Sequence, residues 1–84
     1  MNPVVLAIIA IYDARVAHAR EQRERGFVGN MEFRSGVERS IISNWRLRKN
    51  SGHIDSVTAV ANTLGYRLVL QNIATGEIVA GEAA

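Results

Sequence analysis

The stretch Ser35-Gly-Val-Glu-Arg-Ser-Ile-Ile-Ser-Asn-Trp-Arg-Leu-Arg-Lys49 decides how the rest of the chain is read. Glycine at residue 36 suits a turn with positive φ, where any side chain would be strained. The residues after it follow a helical period. Ile42 and Trp45 fall on one edge, with Val37 just before them, whereas Ser40, Ser43, Asn44 and Leu47 point the other way. Gly36, Val37, Ile42 and Trp45 are therefore expected to form the core of the motif. Arg39, Arg46, Arg48 and Lys49 flank the outward edge. Such a face has the chemistry to read base edges in a major groove while its cations hold phosphates. The plainer alternative is a solvated helix whose terminal cations answer the helix dipole.

Two further segments carry a family resemblance. Ser35-Gly-Val-x-Arg-Ser-x-Ile-Ser-x-Trp45 with its basic run is followed by Ile54-Asp-Ser-Val57 and by Leu64-Gly-Tyr-Arg-Leu-Val-Leu70. Together they resemble the helix-turn-helix domain of the Cro and lambda-repressor superfamily over residues 27 to 70. The resemblance implies a mainly α fold of four to five helices, here with a C-terminal β-hairpin. It also implies that Arg39, Ser40, Ser43 and Asn44 read bases while Arg46, Arg48 and Lys49 hold phosphates. Ile41 and Leu47, apolar where solvent is expected, would meet a thymine methyl or a second subunit. One position departs from the pattern: Glu32 stands four residues before Gly36, where the family usually carries a small residue that lets two helices pack closely. Either the first helix of the motif is shifted by a residue or its packing differs.

Upstream, Asn2-Pro3 predicts a helix start, with Asn as cap and proline at the first helical position, where its missing donor costs nothing. The helix is expected over 3–25, stopping at Gly26. Its first half, Val4 to Tyr12, is apolar almost all the way round. One face is expected on the core and the other on a second subunit through Val5, Ile8, Ile9 and Tyr12, together with Val69; the alternative is a helix clamped within its own chain. Gly26-Phe-Val-Gly-Asn30 reads as a connection in which Asn30 caps a helix from Met31, with the paired helices over about 30–49. Asn50-Ser-Gly-His53 reads as a loop, then a helix over 54–64 with Ile54, Val57, Val60, Ala61 and Leu64 inward and Gly65 as its stop. Glu38 opens the reading helix and is expected to cap it. Residues 66 to 80 alternate around Ala74-Thr-Gly-Glu77 and predict a hairpin. The 84 residues contain no repeat or linker and suit one small domain.

Composition bounds the partner. The net charge is only +2, but residues 15 to 49 hold nine basic against four acidic side chains, and residues 50 to 84 hold one against three. A positive field centred on the reading segment favours a polyanion. The chain has no cysteine, which excludes disulfide scaffolds and thiolate zinc sites and suits a cytoplasmic protein. The apolar run at Val4 to Tyr12 is too short for a membrane span, which needs about 20 residues. His18 and His53 stand thirty-five residues apart without metal-ligand spacing, and Asp13 and His18 are badly placed to activate a serine. No cofactor, metal or catalytic residue is expected.

The function expected is a homodimeric, sequence-specific DNA-binding regulator, most simply a repressor that occludes a promoter from a pseudo-palindromic site on double-stranded DNA. Within the same fold the chain could be an antitoxin whose partner is a toxin protein, held by Val4 to Tyr12 or by the tail after Gly76. A protein-interaction module that has lost DNA binding is the third reading, kept open by Glu32 and Leu47.

Overall fold

The computed structural model describes residues 2–48 and 52–80. These residues form α1 (Pro3–Glu21), α2 (Phe27–Ser35), α3 (Arg39–Arg46), α4 (Ile54–Thr63), β1 (Val69–Gln71) and β2 (Ile78–Ala80). The chain is thus mainly helical, with a small antiparallel hairpin near its C-terminus. No helix among the described residues is long and apolar enough to cross a membrane.

Asn2 starts α1 through its side chain, whose Oδ1 accepts the Val4 N–H at 2.8 Å, and Pro3 takes the first helical position. The helix ends at Glu21, four residues before the expected last residue, Arg25. Arg23 takes a left-handed backbone at φ 55°, Glu24 N donates to the Ala19 carbonyl at 2.8 Å and Arg23 N to the Arg20 carbonyl at 3.1 Å. That double bond pattern is a Schellman motif, which usually places glycine where Arg23 stands. Stopping here frees Phe27 to begin α2 and to pack against the core. Phe27-Val-Gly-Asn30 is therefore the first turn of a helix rather than a connection, and the cap position is Gly26, at φ 78°, rather than Asn30.

The core joins Val5, Ile8, Ile9 and Tyr12 of α1 to Met31 of α2, Val37 of the turn, Ile42 and Trp45 of α3, and Val57, Val60, Ala61 and Leu64 at α4. The α1 positions follow the i, i+3, i+4, i+7 spacing of one helical face. All four are buried inside their own chain, so they are unavailable to a second subunit; the large apolar side chains that α1 leaves exposed are Val4 and Leu6. In α4, Ile54 is 66% exposed and does not point inward as expected, because it lies on the first turn, ahead of the buried face. His53 caps that helix, its Nδ1 accepting the Asp55 N–H at 3.3 Å. Gly65, at φ 94°, follows the C-cap Leu64 as anticipated.

The hairpin pairs Val69 with Ala80, Leu70 with Val79 and Gln71 with Ile78. Asn72 shapes its loop: Oδ1 accepts the N–H groups of Ala74 and Thr75, while the backbone N–H donates to the Glu77 carbonyl at 2.8 Å. The strands are shorter than the alternation from Tyr66 suggests, because Tyr66 N is bonded to Ala61 in the α4 terminus rather than to a strand. Leu70, Ile73, Ile78 and Val79 are exposed.

Candidate nucleic-acid interface

Helix α3 divides its side chains between two environments. Ile42 and Trp45 are 4% and 1% exposed and belong to the core shared with α1 and α4, whereas Ser40, Leu47 and Arg48 are open to solvent. Asn44 is half-buried on the same side as Ser40, one turn later. Ser43, also half-buried, lines a groove of about 420 Å³ between α1 and α3 together with Tyr12, Asp13, Arg20, Arg39 and Arg46.

The chain enters α3 through a turn braced at both sides. Gly36 takes the left-handed conformation at φ 72°, and its N–H donates to the Glu32 carbonyl at 2.8 Å. Ser35 Oγ donates to the Met31 carbonyl at 2.7 Å and accepts the Val37 N–H at 3.1 Å. Glu38 occupies the cap position with an extended backbone, but its carboxylate does not cap the helix; it accepts a long bond, 3.5 Å, from the Ser40 hydroxyl.

Glu32 supplies the cap instead. Its Oε2 accepts the Arg39 backbone N–H at 2.8 Å, and its Oε1 accepts the Arg39 Nη2 at 2.6 Å. The residue four places before Gly36 is thus a glutamate whose side chain reaches the start of α3. The Arg39 guanidinium and then its backbone N–H hold the Glu32 carboxyl below the usual range, and the same pair raises the Arg39 pKa. Burial pushes the Tyr12 hydroxyl up, opposed chiefly by the charge of Arg39.

The phosphate candidates separate. Arg46 is not free, because Nη2 and Nε both reach the Asp13 carboxylate of α1; at 40% and 50% side-chain exposure the pair is an exposed one, worth at most about 1 kcal/mol. Arg48 has a left-handed backbone at φ 59° just after the helix, and its side chain has no hydrogen-bond or ion-pair partner among the described residues. Lys49 lies outside the described residues. Arg20, which the sequence did not single out, joins Arg39 and Arg46 at the groove. Its spacing of seven from Asp13 on one helix is the pattern that places both on this side.

Among the described residues no group of three or more histidine, aspartate or glutamate side chains is placed to hold a metal ion. What the arrangement offers is a short helix, anchored on one side by its buried residues and presenting hydroxyl, amide, methyl and guanidinium groups on the other. Comparison of the chain with protein-family models, with curated proteins and with solved structures finds no match.

Proposed function

We propose that this protein is a sequence-specific DNA-binding transcriptional regulator of the Cro and lambda-repressor helix-turn-helix kind, without enzymatic activity, with α3 as the helix that enters the major groove. The observation that carries the reading is the division of α3. Ile42 and Trp45 anchor it, Ser40, Asn44 and Leu47 face away from the anchor, and Arg39 and Arg48 stand at its two ends. Hydroxyl, amide and methyl groups and the Arg39 guanidinium suit base edges, and Arg48, just beyond the other end, suits the sugar–phosphate rim.

The decisive experiment separates reading from holding. Asn44→Ala should weaken binding to the preferred site by about 1 to 3 kcal/mol and relax preference at one base pair per half-site, because an amide can bond adenine N6 and N7 together. Non-specific affinity should stay nearly intact. Arg48→Ala should weaken preferred and random duplexes alike and lower the log–log salt slope by about one per subunit. Titrations of both variants against the preferred site, its single-base variants and random duplex provide the measurement. Equal losses on every duplex would show that α3 holds DNA without reading it.

The protein acts in this reading as a homodimer, and the hairpin is the surface that supports it. An isolated two-stranded hairpin is marginal in water, and neither β1 nor β2 carries a charge or a proline to guard its edge. A second hairpin paired along a free edge would complete a four-stranded sheet and set Leu70 and Val79, which are 77% and 59% exposed, beside their copies on one face. Val79→Lys is expected to leave helix content unchanged and to shift sedimentation from dimer to monomer at micromolar concentration. Wild-type protein that sediments as a monomer there would refute the dimer.

A further inference from the structure

Arg39 occupies the first position of α3, the end of a groove-reading helix that meets base edges first. Two things count against a free arginine there. A cation at a helix N-terminus opposes the dipole, and a long side chain must lose its rotamer freedom before it can bind in one geometry. Glu32 answers both from α2. One carboxylate oxygen takes the Arg39 backbone N–H and the other takes Nη2, so a single side chain fixes both ends of the same residue.

The donors left over are those that base recognition uses. Guanine presents O6 and N7 side by side and is bonded by two parallel N–H groups of one guanidinium edge. With one Nη2 hydrogen on Glu32, the second Nη2 hydrogen and those of Nη1 remain, and the side chain is 60% exposed. A carboxylate that served only as a helix cap would need one contact. Glu32 makes two, while the carboxylate of Glu38, at the cap position itself, makes none to the helix backbone.

We propose that Glu32 is a positioning residue for base recognition: it holds one side of the Arg39 guanidinium so that the opposite edge meets a guanine, and the pair sets guanine preference at one base pair of each half-site. The inference rests on the DNA reading above and adds to it a residue that would not touch DNA. It has a characteristic signature. A carboxylate near phosphates weakens every duplex, so removing its charge leaves random binding equal or tighter. Removing the anchor makes Arg39 pay its ordering cost on binding, and guanine discrimination falls. Neither a cap nor simple repulsion produces that combination.

The test compares wild type, Glu32→Gln, Arg39→Ala and the double variant. Each is titrated against the site that wild type selects from a random duplex library, against single-base variants of that site, and against random duplex. Arg39→Ala should reduce discrimination at one guanine by roughly tenfold or more. Glu32→Gln should reduce discrimination at the same guanine by roughly two- to tenfold, with random affinity equal or higher. On the Arg39→Ala background it should change nothing at that base pair. Repeating the comparison with Glu38→Asp present supplies an ordinary side-chain cap, so the result does not depend on residue 32 to start the helix. A wild-type profile in Glu32→Gln, a uniform loss across all duplexes, or the same change without Arg39 would overturn the positioning role alone. Failure of wild type to select any site would overturn it together with the DNA reading.

Discussion

Trp45→Ala is expected to cost about 3 to 5 kcal/mol of folding stability, the usual range for deleting a buried aromatic side chain. The indole is 1% exposed and belongs to the cluster that joins α1, α3 and α4. Its surroundings are too constrained to close over the gap. At Gly52, whose backbone has φ 81°, a Cβ would lie 3.2 Å from Trp45 Nε1 and 2.8 Å from Val57 Cγ2, so the chain already passes against the ring at glycine distance. A domain of this size holds total stability near the low end of about 5 to 15 kcal/mol. The variant should therefore melt more than about 12 °C below wild type. Leu47→Ala, at a position 64% exposed at the C-cap of the same helix, should stay within about 0.5 kcal/mol of wild type. Urea and thermal unfolding of the two variants measure the contrast, and a loss under 1 kcal/mol for Trp45→Ala would contradict the anchoring of α3.

DNA affinity should fall about a thousandfold or more between 50 and 200 mM salt, which corresponds to roughly six to eight phosphates neutralised by a dimer. Arg48 stands ready for such a contact, with no carboxylate on it among the described residues. Arg46 begins in an exposed ion pair with Asp13, and a phosphate is a competing partner of the same charge, so the pair moderates the slope without abolishing it. Association measured by anisotropy across that salt range gives the slope directly. A flat profile would remove DNA as the partner.

The parts of the structure legible in the sequence are those whose cause is local. Asn2-Pro3 caps a helix with atoms two residues apart, Gly36 takes the left-handed conformation, and the spacing of Ile42 and Trp45 assigns the buried edge of α3. What escaped the sequence depends on distance or on an unexpected residue in a special conformation. Arg23 ends α1 where glycine is usual. The partners of Arg39 and Arg46 come from other helices, seven and thirty-three residues away, so nothing in the spacing of α3 reveals that both cations are engaged. Val5, Ile8, Ile9 and Tyr12 were apolar enough for either a core or a partner, and only their packing against α3 and α4 assigns them to the core.

The length of α3 limits how much a genome can be told apart. Eight residues rise about 12 Å, against about 3.4 Å for each stacked base pair, so the helix spans only three to four base pairs. A four-letter word recurs by chance about once in 256 positions, and the eight letters of two such helices about once in 65,000, whereas a genome offers about a million competing sites or more. A regulator built on this helix must draw the remaining information from elsewhere, through adjacent operators bound together or through the stiffness of the DNA between the two half-sites.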